Sequence, residues 1–131
     1  MAELSEGTFQ STVTEYLIRH RSILDVESKL AEATARVSRA IAKAVTTCGC
    51  ISIHATRQRF PATVSLAEVR DLVQSHLEGK LCDRCREALE TEIGMTLFYL
   101  AAVCSLFGMD LDAILEKEHA RVATLGVFHL T

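Results

Sequence analysis

The sequence predicts an all-α domain, a bundle of four to five helices. Three observations carry that prediction. Apolar residues recur at steps of three and four along most of the chain. Helix-capping and helix-stop residues stand at the ends of those runs. One proline, no tryptophan and few aromatics leave little material for an all-β domain. The 131 residues suit a single domain, 1–131, large enough to bury its own core.

A first helical stretch is expected over Phe9 to His20. Ile23, Val26, Leu30, Ala33, Val37, Ala40 and Ala44 then form a heptad stripe, which predicts a long helix from about Ser22 to about Thr47. Cys48-Gly49-Cys50 ends it, because glycine just past the last turn is a common stop. Ile51 and Ile53 alternate with Ser52 and His54, as in a short extended piece. Ser65 and Glu68 form a capping box. The helix behind it is expected to use Leu66, Val69, Leu72, Val73, His76 and Leu77 and to stop at Gly79. The next helix should run from about Asp83 to Phe107, with Leu89, Ile93, Leu97, Leu100, Cys104 and Phe107 inward and Gly108 as its stop. Asp110 caps a last helix that uses Leu111, Ile114, Leu115 and Val122. The apolar tail residues Leu125, Val127, Phe128 and Leu130 should dock on the bundle or on a second subunit.

A net charge of -3 and a pI near 5.9 argue against nucleic acid as a partner. The polar, acidic opening Met1 to Thr12 is unlike a secretory leader, and with five cysteines it points to a reducing, cytoplasmic setting. The uncharged run Ile93 to Met109 is shorter than the roughly 20 residues a membrane span needs, so a buried helix and no membrane partner are expected.

Cys48 and Cys50 form a C-x-C pair, and Cys82 and Cys85 a C-x-x-C pair. Two close thiol pairs can supply the four corners of tetrahedral zinc. One pair ends the long helix and the other begins the fourth, so antiparallel packing of those helices would bring them together. The expectation is a structural zinc site, with an iron–sulfur cluster or redox-active thiols as alternatives. Cys104 lies on an apolar stripe and reads as core packing. His20, His54, His76, His119 and His129 show no paired ligand spacing, although His54 or His76 could replace one cysteine. Arg57 and Arg59 with nearby Arg70 read as a solvated loop, with contact to a phosphate or another anion as the alternative.

The stretch EIGMTLFYLAAVCSLFGMDLDAILEKE, Glu92 to Glu118, resembles the C-terminal half of the MazG-like all-α nucleotide pyrophosphohydrolases. In that family a Glu-Leu-Gly-Asp-like turn leads into Leu-Phe-Tyr-Leu, then Gly-apolar-Asp-Leu and a final helix. The resemblance implies a helical homo-oligomer, a nucleotide ligand, and magnesium held by Glu-Glu-x-x-Glu and Glu-x-x-Asp motifs. Such crowding suits a hard cation, which wants several oxygens. Carried over by residue, Glu92 matches the second motif, but its aspartate position is Met95. In the first motif Glu32 is the only acid, with Ala33 and Arg36 at the other two positions. A second register uses Glu68 and Asp71, with Ala67 at the leading position. The functional expectation is therefore a MazG-like protein with lost or much reduced hydrolysis and a four-cysteine metal site. The alternatives are an active magnesium-dependent pyrophosphohydrolase using Glu32 and Glu92, and a thiol-based metal or redox sensor.

Overall fold

A computed structural model describes residues 7–18 and 21–126 of the chain. Within them the protein is mostly helical: α1 (Phe9–Tyr16), α2 (Ile23–Lys43), α3 (Leu66–Leu72), α4 (Asp83–Leu106) and α5 (Leu111–Leu125). Two short strands, β1 (Ile51–Ile53) and β2 (Leu77–Gly79), form one antiparallel ladder. The apolar tail from Val127 onward, His20 and His129 lie outside the described residues.

α2 and α4 are the frame. The last turn of α2 lies against the first turn of α4, while Val26 near the start of α2 shares the core with Tyr99, Ala101 and Ala102 late in α4. The two helices are thus antiparallel. The heptad stripe of α2 supplies that contact through buried Val26, Ala33 and Ala44 and partly buried Leu30, Val37 and Ala40. Alanines on both helices let the backbones approach closely. α1 covers one end, with Val13 and Leu17 in the same cluster. Gln10 fastens it, donating from Nε2 to the Met109 carbonyl (2.8 Å) and accepting at Oε1 from the Leu111 amide (2.8 Å). A buried side-chain amide with both ends partnered fixes α1 against the α4–α5 turn without leaving a polar group unpaired.

The local signals explain most boundaries. Ser65 and Glu68 make the reciprocal capping box, and Asp110 caps α5 by accepting from the Asp112 amide at 3.0 Å. Gly108 adopts φ +70° past α4, where the Met109 amide returns to the Cys104 carbonyl at 2.7 Å.

Three expectations need correction. α3 stops at Leu72, so Val73, His76 and Leu77 are not on a helical face. Val73 is extended, His76 turns through φ +60°, and Leu77 enters β2. Gln58 holds this turn by bonding both the amide and the carbonyl of Gln74. Ladder pairing with β1 has outcompeted continuation of the helix. On α4, the buried residues are Tyr99, Ala101, Ala102 and Cys104, while Ile93, Leu97, Leu100 and Phe107 are exposed. The helix is apolar nearly all round over this stretch, so its periodicity does not select a face. α5 likewise buries no residue fully: Leu111 packs on the core, and Ile114, Leu115 and Val122 are open to solvent.

Candidate metal centre and adjoining groove

The cysteine site is assembled by backbone geometry at the shared end of α2 and α4. The last turn of α2 widens into a π-helical turn, Ala44–Cys48, closed by the Gly49 amide on the Ala44 carbonyl at 2.9 Å. Gly49 is left-handed at φ +79°, a conformation that glycine adopts freely, and it reverses the chain so that Cys50 faces the same space as Cys48. β1 follows directly and pairs with β2 in the register Ile51 to Gly79, Ser52 to Glu78 and Ile53 to Leu77. The ladder carries the chain back to Cys82, which caps α4, its sulfur accepting from the Cys85 amide at 3.4 Å.

All four sulfurs lie within 4.8 Å of one another. Cys48 and Cys82 approach to 3.8 Å, and no described cysteine is in a disulfide. These four thiols make a set that can hold a metal ion. The hydrogen bond from the Cys85 amide pulls the Cys82 thiol down to about 7, so a thiolate forms readily at the start of α4. Cys85 is pushed up to about 12, chiefly by the neighbouring Cys82 sulfur. Four thiols packed this closely cannot all ionise without a cation among them. Cys104 stands apart in the core, where burial raises its thiol. His54 contacts Glu78 across the ladder at 3.5 Å and His76 contacts Gln58, so neither histidine belongs to the cluster.

From this end a groove runs between α2 and α4. Its upper part is a cavity of about 670 Å³ beside Cys48 and Cys85, with Arg36, Arg39, Lys43 and Arg84 on its walls. A lower cavity of about 340 Å³ is lined by Lys29, Glu32, Arg36, Glu92 and Met95. Glu32 and Glu92, named from the sequence on separate helices, therefore face one space. Glu32 is already engaged. Its two oxygens accept from Lys29 at 3.1 Å and Arg36 at 2.9 Å, and these bonds hold its carboxyl below the usual value. Glu68 and Asp71 of the second register do not line this space. Glu68 closes the α3 capping box, and Asp71 lies 3.8 Å from Arg70.

Sequence reasoning did not find the cationic wall of the upper cavity. The signal was present: Arg36, Arg39 and Lys43 fall within an arc of about 60° at roughly 100° per helical residue. Comparison with protein-family models, curated proteins and solved structures finds no match to this chain.

Proposed function

We propose that this chain is a zinc-clipped helical protein of MazG-like descent, cytoplasmic and homo-oligomeric, in which nucleotide hydrolysis is lost or much reduced and ligand binding is retained. The observation that carries the reading is the convergence of Cys48, Cys50, Cys82 and Cys85. With a zinc–sulfur bond of about 2.3 Å, neighbouring sulfurs of a tetrahedral site stand about 3.8 Å apart. The Cys48–Cys82 separation is 3.8 Å, and no pair exceeds 4.8 Å. A cubane cluster spreads its thiolates over separate iron corners and needs a wider set. The clip's role is structural, since all four corners are filled by protein thiols and none is left for substrate.

Reduced hydrolysis is supported by the lower cavity. Magnesium needs several free oxygens, whereas here one acid is taken up by two cations and Met95 offers only a thioether. The nucleotide reading rests on the resemblance of Glu92 to Glu118 to the MazG-like enzymes.

Elemental analysis of protein purified without added metal tests the central claim. One zinc per chain is expected. Iron with visible absorbance, or protein without metal that keeps its fold, would replace the zinc clip. The 3.8 Å approach of Cys48 and Cys82 favours a second reading, a thiol switch. Joining those sulfurs would release two protons and pass two electrons to an added oxidant. Zinc that stays bound under mild peroxide would argue against it.

A further inference from the structure

We infer that the upper cavity of the α2–α4 groove is a binding site for a chain of two or three linked phosphates, held directly by Arg36, Arg39, Lys43 and Arg84 without a divalent metal ion. The cavity has about 670 Å³ of space, and the small side chains of Ala40, Ala44 and Ala88 form part of its lining. Its charged side chains are those four cations and one acid, Glu92, and the sulfurs of Cys48 and Cys85 line it as well. The whole chain carries a net charge of -3, so this concentration of positive charge runs against the average of the molecule.

The cations are also uncommitted. Among the described residues Arg39, Lys43 and Arg84 make no ion pair, and Arg36 spends one nitrogen on Glu32. Like charges crowded on one wall repel, so the arrangement gains most when an anion enters. Arg36 to Lys43 spans roughly 10 Å along α2, longer than a single phosphate and suited to a short chain of them. Three arginines supply the paired donors that match phosphate oxygens. A free oligophosphate and the phosphate chain of a nucleotide share this chemistry. The overall negative charge and the short reach of the cationic wall favour such a small ligand over a nucleic-acid backbone.

The site does not depend on descent from a pyrophosphohydrolase. It depends on the cysteine cluster only because that cluster places Arg84 opposite α2. The test is therefore run on protein with its metal content measured. Calorimetry in magnesium-free buffer with tripolyphosphate, ATP, AMP and a single-stranded oligonucleotide reads the site. Tripolyphosphate and ATP should bind, AMP far more weakly, with affinity falling as salt rises. Arg39→Gln with Lys43→Gln, and separately Arg84→Gln, should each weaken tripolyphosphate by about tenfold or more. Metal content and melting temperature should hold, and Arg121→Gln on α5 should change nothing.

ATP binding well above tripolyphosphate would add a base pocket to the site and leave the phosphate assignment standing. Four results would overturn the proposal. These are affinity unchanged in both groove variants, binding that needs magnesium and is lost in Glu92→Gln, tighter binding of the oligonucleotide through the same residues, and no binding of tripolyphosphate by metal-replete protein. The last would mean that the cations serve only to neutralise the thiolates.

Discussion

Gly79 lies so close to Cys50 that a β-carbon built on it would stand 2.6 Å from the Cys50 carbonyl oxygen. It also adopts φ +88°. Both facts matter to the cysteine site, because this is where the strand leading to Cys82 presses against the strand leaving Cys50. Gly79→Ala should therefore force the ladder apart. It should cost about 3 kcal/mol or more and lower metal retention. Gly49→Ala is the contrast. That glycine is also left-handed but has nothing within 4 Å of the added carbon, so about 1–2 kcal/mol is expected, with the metal kept. Thermal melting and metal content of the two variants decide it. Equal effects would show that the close approach does not matter.

Removal of the metal should lower the melting temperature by about 10 °C or more, because the clip closes the chain from Cys50 to Cys82. Protons compete with metal for the thiolates, so retention should fall as the buffer is acidified. Cys50→Ser and Cys85→Ser should each reproduce the loss, whereas Cys104→Ser should not release metal, since that sulfur lies in the core. Melting unchanged after verified chelation would leave the cluster without a structural role.

How much of this was legible beforehand follows from which forces act locally. The heptad of α2, the capping box at Ser65, the Gly49 stop and the Asp110 cap are decided within a turn or two, and they appear where the residues place them, except that Ile23 at the head of the stripe is exposed. The convergence of Cys48, Cys50, Cys82 and Cys85 followed from one helix end meeting one helix start. The β1–β2 ladder was half visible. Ile51 to Ile53 alternates, but its partner carries Leu77 in a run that also fits a helix, and pairing across the loop settled the matter. The burial of α4 was least legible: Tyr99 and Ala102 are buried and Leu97 and Leu100 exposed, in a run that is apolar nearly all round and so marks no face.

The exposed side chains of α4 leave an apolar surface uncovered. Ile93, Leu97 and Leu100 fall on one face of α4, and Ile114 and Leu115 extend the exposed surface on α5. A homo-oligomer should bury this surface. Light scattering at micromolar concentration is expected to exceed the monomer mass. Leu97→Asp should split the assembly while the protomer stays folded, because that side chain is 45% exposed in the single chain. α4 also has the length and hydropathy of a membrane span and is mostly exposed along that stretch. A monomer that partitions onto lipid vesicles would show that lipid, not a second copy, covers this face.

The last prediction concerns catalysis in the lower cavity. Hydrolysis of nucleoside triphosphates with magnesium or manganese should be absent or very weak. Such cleavage relies on metal ions that hold the phosphates and supply activated water, and the space between Glu32 and Glu92 is poorly equipped for them. Met95 puts a thioether on its wall, and Lys29 and Arg36 occupy the oxygens of Glu32. Losing ligands outright should cost more than the 10–100-fold typical of a supporting residue. Recovery should need two changes together. Met95→Asp returns a hard ligand near Glu92, and Arg36→Glu removes a cation while adding another acid on the same face of α2. Ala33→Glu is a poor addition, since Ala33 is buried against α4 and a carboxylate there would disrupt the helix contact. Pyrophosphate release across canonical and modified nucleotides is the measurement. Robust turnover by the unaltered protein that disappears in Glu92→Gln would show that the chain is an enzyme despite Met95. Inactivity followed by turnover in the double variant would show a site disabled by those two positions.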